Sequence, residues 1–130
     1  MTVSETVFVV LPMPARVLSP NRPPATMRGR YKKAAAAKKL RRLAREAAQE
    51  AAIDSAPWPL ASVSATFFCR VDRRRDPDNY MAMLKPAYDG LVDAGLLVDD
   101  DWCHLKRGEP QFELDREYPR VELTVTRREA

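Results

Sequence analysis

The stretch 73-RRRDPDNYMAMLKPAYDGLVDAGLLVDDD-101 decides how the rest of the chain is read. It carries two aspartates one residue apart, Asp76 and Asp78, then Lys85, then a closing acidic run of Asp99, Asp100 and Asp101. Between the acidic ends the pattern is helical. Tyr80, Leu84, Ala87, Tyr88 and Leu91 gather on one side, while Asp78, Lys85 and Asp89 fall near the other. Asp78 is the expected N-cap, and Gly95 the stop after a helix running to about Ala94. Pro86 removes a backbone donor from the interior, so the helix should bend at about Ala82. Pro77 fixes one dihedral and pushes Asp76 out of helical geometry, which can hold the first two carboxylates near each other. Carboxylates gathered in this way repel unless a hard cation such as Mg²⁺ or Mn²⁺ neutralises them, and one from Asp99–Asp101 would complete the set. An EF-hand loop beginning at Asp76 is excluded, because it needs glycine at 81 and an acid at 87, where this chain has Met81 and Ala87.

Upstream of that stretch, Leu60 to Val71 alternates. Val63, Ala65, Phe67, Cys69 and Val71 point one way, and Ser62, Ser64, Thr66 and Arg70 the other, with Phe68 the exception. This is a half-buried strand that delivers Arg73, Arg74, Arg75 and Asp76 at its end, where functional loops commonly lie. Downstream, WCHLKR (102–107) reads as a short strand, Gly108–Pro110 as a turn, and Arg120–Thr126 as a strand with Val121, Leu123 and Val125 inward. Thr6–Leu11 is β-branched and apolar and suits a buried strand, followed by an extended loop rich in proline and arginine. From Tyr31 to Ile53 helix formers dominate, with Leu40, Leu43, Ala47 and Ala51 on one face and Lys38, Arg41, Arg42 and Arg45 on the opposite one. The order β-α-β-α-β-β implies one small α+β domain over residues 1–130, a mixed sheet packed by helices.

The 130 residues are 45% hydrophobic and 31% charged, which is ordinary for a globular domain. The net charge of +4 is concentrated, with nine basic residues and no acid from Arg28 to Arg45. A solvated helix face accounts for some of this. Lys38, Lys39, Arg41, Arg42 and Arg45 nevertheless meet no acid before Glu46, so favourable i,i+4 pairs are largely missing, and phosphates would relieve the repulsion. Two cysteines, neither at zinc spacing, and a single histidine argue against zinc and disulfides alike. The N-terminus lacks the basic start of a signal peptide and no apolar run reaches membrane-spanning length, so a cytoplasmic protein without membrane contact is expected. His104 is read as packing or hydrogen-bonding near the site, and Trp58 and Trp102 as core or interface anchors.

Taken together, the acidic clusters, the intervening lysine and the basic helix favour metal-dependent phosphoryl transfer. Metal-activated water would attack a phosphodiester in line, with Lys85 neutralising the charge that develops on the phosphate.

The same stretch closely resembles the signature of the RusA family of Holliday junction resolvases, which shows a D-x-D-N pair, a downstream lysine, an aspartate-bearing helix and a D-D closing motif. LSPNRPPATMRGRYKK (18–33) is similar to that family's early loop leading into a basic helix. The resemblance covers most of the chain and is specific over about thirty residues of it. It implies a homodimeric, Mg²⁺-dependent (or Mn²⁺-dependent) endonuclease that binds branched DNA, four-way junctions above all, and resolves them by paired symmetric nicks in recombination and repair. Carried across, the catalytic residues are Asp76, Asp78, Asp100 and Lys85, with Asp76, Asp78, Asp100 and Asp99 around the metal. Lys38, Lys39, Arg41, Arg42 and Arg45 on the helix, with Arg73, Arg74 and Arg75, would contact DNA. Asp89 matches an acidic supporting position. Lys85 follows Asp78 by seven residues where the family's best-known form has four, and the triple aspartate leaves the third ligand open by one position.

Two other readings compete. A non-catalytic junction-binding dimer of the same fold would bind branched DNA in a salt-sensitive way without cutting it. A hydrolase of small phosphoesters would ignore branching and tolerate charge reversal at Arg41, Arg42 and Arg45.

Overall fold

The structure is a computed structural model that describes residues 5–21, 23–51 and 53–129. The readings of the first four residues, of Arg22 in the loop and of Ala52 in the basic helix lie outside the described residues. Strands and helices follow in the order β1 (Thr6–Leu11), α1 (Met27–Ala51), β2 (Ala61–Cys69), α2 (Pro77–Ala82), α3 (Lys85–Asp93), β3 (Leu105–Arg107), β4 (Gln111–Leu114) and β5 (Arg120–Arg127). The fold is α+β with a mixed five-stranded sheet. β5 lies between β1 and β2, antiparallel to both, and β3 and β4 run parallel to β2 along its other edge.

The alternation read from the sequence holds in the strands, except that β2 ends at Cys69 and Val71, expected to point inward, lies beyond it and is exposed. Val7, Val9 and Leu11 of β1, Val63, Ala65, Phe67 and Cys69 of β2, and Val121, Leu123 and Val125 of β5 are all buried in one core. The turn expected at Gly108–Pro110 is instead a bulge within a continuing edge. Val63 faces Arg107 and Thr66 faces Gln111, so three residues, Gly108–Pro110, occupy the span of Ser64 and Ala65. Pro110 has no N–H to give the ladder, while the Gly108 N–H still reaches the Val63 carbonyl at 3.0 Å. β4 was therefore hidden from the sequence reading by its own punctuation.

α1 begins at Met27, earlier than Tyr31, because Thr26 caps it by accepting the Gly29 N–H on Oγ1 at 3.0 Å. Its fully buried row is Leu40, Ala44 and Ala48, with Leu43, Ala47 and Ala51 packed at the margin. The stripe expected through Leu43 and Ala47 is thus rotated slightly towards Ala44. The cause is α3. A Cβ at Gly90 would lie 2.3 Å from the Arg41 carbonyl oxygen and 2.9 Å from the Ala44 Cβ, so the helices touch backbone to backbone there. Among the described residues no helix is long and apolar enough to cross a membrane.

The central helix differs from the single bent one expected. It is two helices, parted at Met83–Leu84, with Pro86 in the first turn of α3. The break falls where the proline pointed. The N-cap of α2 is Asp76, not Asp78. Asp76 accepts the Asp78 N–H on Oδ1 at 3.0 Å, and Pro77 takes the first helical position. The C-terminal stop is as expected: Gly95 has φ of 79°, with Gly95 N–H to Val92 O at 3.0 Å and Leu96 N–H to Leu91 O at 3.2 Å.

Candidate active site

Three packing features set the positions of the acidic residues. Tyr80 of α2 meets Phe67 of β2 edge-on at 5.1 Å and Phe112 of β4 at 5.3 Å, which fixes α2 to the end of the sheet. Arg75 steadies the approach, its guanidinium donating to the Tyr80 hydroxyl at 2.5 Å and to the Val71 carbonyl at 2.8 Å. Beyond α3, fully buried Trp58 clips the returning chain through Trp58 N–H to Leu96 O at 2.8 Å and Val98 N–H to Trp58 O at 3.1 Å. Asp99, Asp100 and Asp101 follow directly.

Asp100 and Lys85 are brought together. Lys85 Nζ donates to Asp100 Oδ2 at 2.5 Å and to Asp89 Oδ1 at 2.8 Å. Asp100 is buried, 7% exposed. Arg107 supports it from β3, donating to the Asp100 carbonyl at 2.8 Å with its guanidinium 3.6 Å from Oδ2. Burial pushes the Asp100 carboxyl up, but the hydrogen bond and charge of Lys85, the charge of Arg107 and a bond within Asp99–Asp100 outweigh it, so it sits below the ordinary carboxylate value. Lys85 is raised, chiefly by its bonds to Asp100 and Asp89.

The Arg107 guanidinium also lies over the Tyr88 ring, 4.6 Å from its centroid. The Tyr88 hydroxyl is buried without a hydrogen-bond partner, and burial pushes the phenol up to about 12, with Arg107 opposing and Asp100 adding to the shift. Arg107 and Tyr88 were not singled out for the site. The signal for Arg107 was the period of two in WCHLKR, which places it on the same strand face as buried Leu105.

Among the described residues one group of three metal-ligating side chains comes within 4.8 Å of one another: Asp99, Asp101 and His104. Asp101 Oδ1 lies 2.6 Å from His104 Nδ1 and accepts the backbone N–H groups of Cys103 and His104 at 3.0 and 3.1 Å, which holds the Asp101 carboxyl below its ordinary value. Asp76 and Asp78 are not gathered with Asp100 into a second such group. Both Asp76 oxygens face their own helix, Oδ2 accepting from Asn79 Nδ2 at 3.3 Å, while Asp78 is exposed in the first turn of α2.

No protein-family model and no curated protein matches this chain.

The basic residues divide into two kinds. Arg41 forms a fork with Asp93 of α3, Nε to Oδ2 at 2.5 Å and Nη2 to Oδ1 at 2.8 Å, so it bridges the two helices. Lys38, Lys39 and Arg42 are exposed, Arg42 with only a loose 3.9 Å approach to Glu46, and Arg45 is half-buried. Arg73 and Arg74 are exposed, whereas Arg75 is committed to Tyr80 and Val71. Of the two tryptophans expected as core or interface anchors, Trp58 is core, and Trp102 is 85% exposed beside the acidic run and so is not part of the core.

Proposed function

We propose that the protein is a divalent-metal-dependent, structure-selective endodeoxyribonuclease that resolves four-way DNA junctions, acting as a homodimer in the cytoplasm of a bacterial or phage-infected cell. The observation that carries this reading is the Lys85 ammonium clamped between Asp100 and Asp89, where the two halves of the acidic stretch meet. An ammonium has three donors; two are taken, and the third remains for a phosphate oxygen. Lys85 first, and then Arg107, keep Asp100 ionised although it is buried.

Asp76, Asp78, Asp100 and Asp99 offer hard carboxylate oxygens that suit Mg²⁺ or Mn²⁺. The bound ion would supply Lewis acidity and a more acidic water. Asp76, tied to the backbone of α2, would hold its carboxylate in a fixed direction, and Lys85 would meet the negative charge growing on the phosphate. The exposed Lys38, Lys39, Arg42, Arg73 and Arg74 would bind phosphates. Arg41 and Arg75, already engaged, would contribute less. The salt dependence of junction binding checks this division: Arg42→Ala should reduce the slope of log affinity against log salt by about 0.9, and Arg41→Ala by clearly less.

The deciding experiment compares wild type with Asp78→Asn on a mobile four-way junction and on a matching linear duplex, with Mg²⁺ and with EDTA. Symmetric nicks on the junction alone, lost in EDTA and in the variant, are the expected result. Cleavage of both substrates at equal rates would remove the structure selectivity. A second reading, a junction-binding dimer without catalysis, is favoured by one observation: Asp76, Asp78 and Asp100 are not gathered at ligand spacing. It predicts salt-sensitive junction binding and no cut in Mg²⁺ or Mn²⁺.

A further inference from the structure

A cavity of about 530 Å³ lies between the segment holding Leu18, Pro20 and Pro24, the first half of α1, and the break between α2 and α3. Its floor is apolar: the three segments contribute Leu18, Ala34, Ala37, Met83 and prolines such as Pro24 and Pro86. Among the described residues its charged lining is Arg30, Lys33 and Lys85, with no carboxylate. Among the described residues neither Arg30 nor Lys33 makes an ion pair. Pro24 packs closely on Gly29, where an added Cβ would stand 3.0 Å from the Pro24 Cβ. The cavity is within the size range of small-molecule sites, which pair an apolar lining with a few placed polar groups.

We infer that this cleft is a nucleotide-binding site that receives one unstacked nucleotide of the bound strand, its base against the proline, alanine and methionine floor and its phosphate on Arg30 and Lys33. A flat apolar body carrying an anion is what such a lining selects, since the floor offers little to a sugar phosphate alone and the cations reward a charge that a neutral apolar ligand lacks. Lys85 belongs both to this lining and to the Asp100 clamp, so a nucleotide seated here lies beside the groups proposed for phosphodiester cleavage. The inference rests on the polynucleotide substrate proposed above.

The test is a titration of ¹⁵N-labelled protein, free of divalent metal, with thymidine 5′-monophosphate and separately with deoxyribose 5-phosphate. Amide shifts at Ala34, Ala37 and Met83 are expected with the nucleotide, and at least tenfold weaker binding of the base-free probe. Ala34→Phe replaces an exposed helix residue on the cleft wall and should weaken nucleotide binding at least tenfold with an unchanged melting temperature. Equal affinity for both probes, with shifts confined to Arg30 and Lys33, would reduce the site to a phosphate contact and overturn the inference. So would displacement of the nucleotide by decyl phosphate at much lower concentration, which marks an alkyl-chain site. A protein that cuts junctions but shows no cleft shifts refutes the cleft alone. One that fills the cleft and neither binds nor cuts branched DNA refutes the endonuclease and keeps the site.

Discussion

Gly90→Ala should lower the melting temperature by roughly 7 °C. A methyl at position 90 would sit 2.3 Å from the Arg41 carbonyl oxygen, 2.9 Å from the Ala44 Cβ and 3.0 Å from the Arg45 nitrogen. Two of those three are backbone atoms of α1 and cannot rotate away. The helices would have to part by about 1 Å, loosening Leu40, Ala44, Ala87 and Leu91, all of them buried. Overpacking of a rigid core costs about 1–3 kcal/mol, and a clash with backbone belongs at the upper end. Alanine's better helix propensity returns about 1 kcal/mol, which does not reverse the sign. The comparison is Gly95→Ala. Its Cβ would meet nothing within 4 Å, so only the left-handed φ of 79° opposes it, at about 1–2 kcal/mol. Thermal denaturation of both variants checks the ranking. A Gly90→Ala protein as stable as wild type would mean that α1 and α3 do not approach this closely.

Gly90 also shows where the sequence stopped being informative. Strands β1, β2 and β5, the basic helix, the Gly95 stop and an interruption near Pro86 were legible because each depends on a local signal: period, propensity or a missing N–H. A glycine within a helix carries no local mark of the helix that will press against it, so the rotation of α1 towards Ala44 could not be read. Asp78 was read as the cap, and it is the placement of Pro77 at the first helical position that makes Asp76 the cap instead. The bulge at Gly108–Pro110 resembled a turn because glycine and proline punctuate both. In the candidate site, Lys85 and Asp100 were named from the sequence and do meet. Their support from Arg107 depends on β3 lying parallel to β2, a non-local pairing. The division of the arginines is equally non-local: nothing near Arg41 in sequence announces Asp93, fifty-two residues away in the chain.

Lys85→Met should reduce single-turnover junction cleavage by about 10²–10³-fold while leaving junction affinity within a few-fold, because the ammonium is proposed to meet charge that exists only in the transition state. The substitution is compatible with folding, since the Lys85 side chain is 59% exposed and methionine keeps the unbranched stem. The change should also reach Asp100. Its carboxyl is now held low against burial, first by the hydrogen bond from Lys85 and then by the charges of Lys85 and Arg107. Without Lys85, burial faces only Arg107 and Asp99, so the Asp100 pKa must rise and the acid limb of the cleavage profile must move to higher pH. The stability linked to the pair follows the same signs. Asp100, depressed in the folded state, contributes stability above the ordinary carboxylate pKa of about 3.9, which is lost as pH falls through its folded value. Lys85, raised in the folded state, contributes below about 10.4, which is lost as pH rises through its folded value. The wild type should therefore lose the pair's stabilisation at both extremes, and Lys85→Met should flatten both flanks of melting temperature against pH. A shifted acid limb separates Lys85 acting on phosphate and Asp100 together from Lys85 as a bystander. If the variant cleaves at the wild-type rate with an unmoved profile, Lys85 is only a clamp between α3 and the acidic run, and the proposed transition-state role fails.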